Sequence, residues 1–81
     1  MSIKVLFFAS LADLTGMRET EVDSRAHTSV ASIYTKFARD FPRLEEHRAS
    51  LLYAVNSEFV QPDSPVHDGD EVAFFPPVSG G

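Results

Sequence analysis

Residues 27–42 read HTSVASIYTKFARDFP. Val30, Ile33, Tyr34, Phe37 and Phe41 recur at helical spacing, so they line one apolar face of a helix. Thr28 or Ser29 can cap its start by accepting backbone N–H bonds. Pro42 ends it, because proline lacks a donor and disfavours helical geometry in the residue before it. No other segment carries so clear a helical pattern. The chain therefore has one main helix, and the remaining apolar stretches must be sorted into strands around it.

Two such stretches precede the helix. IKVLFFA, residues 3–9, is rich in β-branched and aromatic residues and reads as a strand. Alternation puts Ile3, Val5 and Phe7 on one face, with Leu6 and Phe8 on the other. SLADLTG, residues 10–16, reads as a connection, with Gly16 available for positive φ. RETEVD, residues 18–23, reads as a half-exposed strand hairpinned to the first, with Thr20 and Val22 inward. After the helix, RLEEHRASLL reads as a short helical turn or loop. LLYAVN reads as a strand, NS as a turn, EFVQP as a short extended piece, and Glu71–Phe75 as a last strand after a turn at Asp68-Gly69-Asp70. Two hairpinned strands, a helix laid across the sheet and then further strands is the ubiquitin-like β-grasp order. A ferredoxin-like sandwich needs two long helices. The expected fold is α+β: a mixed sheet, one main helix packed across it, and a flexible tail. The expected division is a domain over 1–75 and an extended C-terminal tail over 76–81.

Composition narrows the chemistry. At 81 residues the chain is one domain with one modest core. It has no cysteine, which excludes a disulfide framework, a thiolate metal site and a thiol nucleophile. Its net charge is −5, and its seven basic residues do not cluster. Nucleic-acid binding needs a basic face to release phosphate counterions, so no nucleic-acid partner is expected. The N-terminal apolar run is short and alternates with strand period, unlike a signal peptide. No apolar run approaches the ~18 residues of a membrane span. A soluble cytoplasmic protein with no membrane partner is the expectation.

A catalytic constellation is hard to find. The sequence has no phosphate-cradling glycine loop followed by Lys and Ser/Thr, and no H-E-x-x-H. His27, His47 and His67 are about twenty residues apart, which suits surface or capping roles better than metal ligation. Asp63, Asp68, Asp70 and Glu71 are the densest acidic run. Paired carboxylates could take Ca²⁺ or exchange protons. Asp-Gly-Asp before a strand is also what a turn prefers, and that reading is favoured. Asn56 is read the same way.

The C-terminus is the anomaly. Pro76-Pro77 fix φ and project the residues after them away from the body. Gly80-Gly81 remove every Cβ, so the terminal carboxylate can thread a channel too narrow for another residue. A stiff stalk with a thin tip suits delivery of a carboxyl group to another protein's active site. Beside it, alternation in EVAFF sends Val72 and Phe74 toward the helix and Ala73 and Phe75 to the far side. In a β-grasp sheet the first and last strands are neighbours, so Phe8 and Phe75 share an exposed face, and Phe59 joins them from a short outer strand. An aromatic cluster beside a reactive tail is a natural docking patch.

DGDEVAFFPPVSGG, residues 68–81, together with IKVLFFA, LADLTG and AVN, resembles the MoaD-type small subunits of molybdopterin synthase. The middle, Arg18 to Leu52, matches only in pattern. The resemblance implies a β-grasp sulfur carrier with no active site and no bound cofactor of its own. It implies that a ubiquitin-activating-like adenylyltransferase uses ATP to adenylate Gly81, that sulfur replaces AMP, and that a C-terminal 1-thioglycine (thiocarboxylate) results. It implies docking on the large synthase subunit in a heterotetramer, where the thiocarboxylate gives sulfur to the pterin precursor. Gly81 and Gly80 are then the reacting tip. Phe8, Phe59, Phe75, Pro76, Pro77, Val78 and Ser79 are the partner-binding residues, and no metal site is implied. A thiamine-thiazole sulfur carrier and a ubiquitin-like protein modifier are the alternatives.

Overall fold

The computed structural model describes residues 1–77. Strand β1 spans Ser2–Phe7 and is followed by helix α1 at Ser10–Thr15 and strand β2 at Glu19–Asp23. Helix α2 spans Val30–Asp40 and leads into a 3₁₀ segment at Pro42–Ser50. Strands β3 (Leu52–Val55), β4 (Glu58–Val60) and β5 (Glu71–Phe75) complete the fold. The strands form one sheet in the order β2-β1-β5-β3-β4. Among the described strands only the neighbours β1 and β5 are parallel; β1–β2, β3–β4 and β3–β5 are antiparallel. This is the mixed β-grasp sheet expected from the order of strands and helix.

Alternation decides which residues face the helix. Ile3 pairs with Val22 and Val5 with Thr20 across β1 and β2. Val5 pairs with Val72, and Phe7 with Phe74, across β1 and β5. Ile3, Val5, Phe7, Val72 and Phe74 are all buried against α2, whose Val30, Ile33, Tyr34 and Phe37 are buried in turn. Phe37 meets Phe7 edge-on at 5.1 Å between ring centres. Phe74 sits among Phe7, Tyr34 and Tyr53 at 5.1–5.7 Å. Each such large side chain contributes about 1.5–3 kcal/mol by leaving water.

The ends of α2 are set locally. Ser29 Oγ accepts from Ser32 N at 3.2 Å, and Ser32 Oγ accepts from Ser29 N at 3.4 Å. Of the two expected caps it is Ser29 that serves, in a reciprocal capping box. Phe41 closes the helix by donating its N–H to Phe37 O at 2.8 Å, immediately before Pro42. The 3₁₀ segment beyond it is pinned by Leu44, which is fully buried. Tyr34 Oη donates to Leu44 O at 2.7 Å, and burial pushes this phenol up to about 12.

One expectation needs correction. Residues 10–16 are not a plain connection, because Ser10–Thr15 form a helix. Leu11 is fully buried and Thr15 nearly so, one turn apart on the inner face. Thr15 Oγ1 donates to Leu11 O at 2.9 Å. Six residues are too few for a periodic pattern, which needs a window of about 11–18. Gly16 does take positive φ, at 75°, as the left-handed cap of this helix.

Candidate docking face and tail base

The sheet face away from α2 is apolar across four strands. Leu6 lies beside Ala73, Ala73 beside Ala54, and Ala54 beside Phe59. A second row runs parallel to it: the Phe8 ring stacks on Phe75, and Phe75 lies beside Leu52. A charged row borders the patch, with Glu21, Lys4 and Glu71 side by side. No described helix packs on this face as α2 does on the other, and Phe59, Leu52 and Phe8 stay 71%, 44% and 40% exposed. Contiguous exposed apolar surface with a polar rim is uncommon on a monomeric protein, which makes this face the candidate docking site.

The three expected aromatics are together. Phe8 and Phe75 stack with 4.5 Å between ring centres and 14° between planes. Phe59 approaches Phe75 at 5.8 Å. They rim a groove of about 340 Å³ that Pro76 and Pro77 complete, so the chain leaves β5 from the edge of the aromatic cluster. Val78, Ser79, Gly80 and Gly81, also named as site residues, lie outside the described residues. Two groove residues escaped sequence reading. Leu52 belongs to a Leu51–Leu52 doublet, and apolar residues at both positions hide which one faces outward. Ala9, two residues beyond β1 and immediately before α1, has no residue-type signal at all.

The polar candidates are used by the fold. Gly69 takes φ of 87° at the turn before β5. Asp68 Oδ1 accepts from Ser24 Oγ at 2.9 Å. Asp70 accepts from His67 N at 2.8 Å and from Asn56 Nδ2 at 3.0 Å. Asn56 Oδ1 accepts from Glu71 N at 3.0 Å. Asn56 thus ties the β3–β4 hairpin to the turn that launches β5. With Ser57 it also forms that hairpin's two-residue loop, at φ 51° and 71°, the positive pair a type I′ turn requires. His27 Nδ1 lies 3.1 Å from Ser32 Oγ, and burial, with nearby Lys36, holds its pKa below the usual histidine value. His67 is exposed beside Asp70, and His47 lies on the 3₁₀ segment. Among the described residues no group of His, Asp or Glu could hold a metal ion. No helix among them is long and apolar enough to cross a membrane.

Known proteins resemble this chain along nearly their whole length. The molybdopterin synthase sulfur carrier subunit of Escherichia coli is 47% identical over 81 residues, covering 98% of this chain and 99% of its own. The Chlamydomonas reinhardtii subunit of the same name is 36% identical, covering 100% of both chains. The crystal structure of Haloferax volcanii small archaeal modifier protein 1 superposes with a TM-score of 0.80 at 27% identity, covering 95% of this chain and 98% of that one. Residues 5–81 match the ThiS family. From its β-grasp sheet to its diglycine end, this chain belongs to the ThiS family.

Proposed function

We propose that this chain is the sulfur carrier of molybdenum cofactor biosynthesis, acting as the non-catalytic small subunit of molybdopterin synthase. The observation that carries the reading is the placement of the base of the tail, Pro76-Pro77. Pro76 and Pro77 leave the sheet from the groove rimmed by Phe8, Phe59 and Phe75, so a partner that covers the aromatic face also receives the chain end. Whole-length likeness to sulfur carrier subunits supports it.

The chemistry starts at the terminal carboxylate. A carboxylate is a poor electrophile until it is activated as a mixed anhydride. Gly81 attacks the α-phosphorus of ATP, forming a glycyl adenylate and releasing pyrophosphate. A sulfur donor then displaces AMP and leaves a thiocarboxylate. The chain has no cysteine and no phosphate-cradling loop, so sulfur and activation come from partners. The activating partner is an adenylyltransferase of the ubiquitin-activating kind. The receiving partner is the large synthase subunit, in a heterotetramer in the cytoplasm, where the thiocarboxylate gives sulfur to the pterin precursor. Val78 and Ser79 are read as partner-binding residues and Gly80-Gly81 as the reacting tip, whose lack of a Cβ suits a narrow channel in the partner.

The test compares Gly81→Val with Gly80→Ala. Gly81→Val should melt like the native protein yet lose adenylation and synthase turnover, because a displacement near ~1 Å can cost about 10²-fold in rate. Gly80→Ala should retain more activity. Normal turnover by Gly81→Val would refute the reading. The likeness to an archaeal modifier protein favours one second reading, covalent attachment to other proteins. Isopeptide adducts on partner lysines would identify it.

A further inference from the structure

Ala9 sits in a backbone conformation made for glycine. Its φ is 51° and its ψ is −127°. Leu11 N donates to Phe8 O at 3.1 Å, which closes a four-residue turn with Ala9 at its first corner. Positive φ at that corner defines a type II′ turn, where glycine is the preferred residue because a Cβ is strained there. The turn converts β1 directly into α1. It leaves Phe8 on the outer face and carries Leu11 into the core.

A strained alanine needs something that repays its methyl group. Burial does not, because Ala9 is exposed. Capping does not, because the residue makes no side-chain hydrogen bond at the start of α1. What the methyl does have is position. Ala9 lines, with Phe8, the groove that Phe75, Pro76 and Pro77 share, and the same two residues also line a groove of about 480 Å³ that includes Arg18. Strain retained at a binding surface points to a contact made only when that surface is occupied.

We infer that Ala9 is a docking contact: its methyl group is held, against backbone strain, to meet the partner at the base of the tail. Glycine would fit the turn better and dock worse. A larger residue would strain the turn further and fill the groove beside the prolines. The inference rests on the docking face described under Proposed function.

The test is Ala9→Gly in the full chain, measured by thermal melting and by calorimetric titration with the large subunit of molybdopterin synthase. Phe59→Ala serves as the control for the face itself. Relief of strain should raise Tm by about 4–8 °C. Loss of one buried methyl should weaken docking about four-fold. A purely structural role would move stability and affinity in the same direction, whereas a docking contact moves them in opposite directions. Unchanged affinity in Ala9→Gly, with weakened docking in Phe59→Ala, overturns the role of Ala9 and leaves the face intact. Unchanged affinity in both overturns the face and the inference together. A Tm that is unchanged or lower overturns the strain on which the inference stands.

Discussion

Phe59→Ala should separate docking from folding. In the free protein Phe59 is 71% exposed, and its aromatic neighbour is Phe75 at 5.8 Å with a 59° tilt. A phenylalanine presents about 200 Å² when fully exposed, so roughly 140 Å² remains available to a partner. At about 25 cal/mol per Å², complete covering would contribute about 3.5 kcal/mol. Truncation leaves the Cβ, and an outer strand is not covered on every side, so a loss of about 2 kcal/mol is expected, near 30-fold in Kd. Folding loses only an exposed ring contact of about 0.5 kcal/mol, under ~4 °C in Tm. Phe75→Ala is the less informative change, since its half-buried ring also stacks on Phe8 and its removal disturbs the face and the fold together. Calorimetric titration with the large subunit and thermal melting of the free variant give both numbers. Kd within two-fold of native would refute the docking face. A melting temperature lower by more than ~8 °C would show that Phe59 holds the fold rather than a partner.

Other substitutions probe the fold beneath that face. Phe74 is fully buried among Phe7, Tyr34 and Tyr53, so Phe74→Ala should cost about 3–5 kcal/mol in urea unfolding; a loss under ~1 kcal/mol would contradict the packing. Ser29→Ala removes the acceptor that caps α2 and should cost about 1 kcal/mol, read as a fall of roughly 4–8 °C in Tm with Gly81 adenylation unchanged. Hydrogen bonds from the Arg25 side chain and backbone hold Asp23 near a pKa of about 2. Its folded value lies below the unfolded value near ~4, so its stabilisation is present above about pH 4 and is lost as pH falls toward 2. Asp23→Asn should therefore flatten the acid limb of Tm against pH in that window, and an acid limb as steep as native would contradict the pairing.

How much was legible depended on how many residues carried each signal. Helix α2 showed itself because five apolar residues repeat in register between a cap and a proline. The outer aromatic face was legible because strand alternation has a period of two, and fixing Phe7 and Phe74 inward sends Phe8 and Phe75 outward. Helix α1 was hidden by its length, since six residues hold too little of a pattern to separate a helix from a loop. Leu52 was hidden by its neighbour Leu51, which is buried while Leu52 is exposed. Asn56 was legible as a turn residue, but its bridge to Asp70 and Glu71 joins positions fourteen and fifteen residues apart and has no local signature. Ala9 was invisible because alanine, unlike glycine or asparagine, carries no signal for a positive-φ corner. The tail is the reverse case: Pro76-Pro77 and Gly80-Gly81 speak through residue type alone.

Intact-mass and fragment mass spectrometry test sulfur carriage most directly. The full chain would be incubated with ATP, its adenylyltransferase and a sulfur donor, and then mixed with the precursor-loaded large subunit. The expected result is one oxygen replaced by sulfur on Gly81 after the first step, and return to the plain carboxylate after the second. A Gly81 carboxylate that stays unmodified throughout, or sulfur on any other residue, would contradict the claim that this chain carries sulfur on its C-terminus.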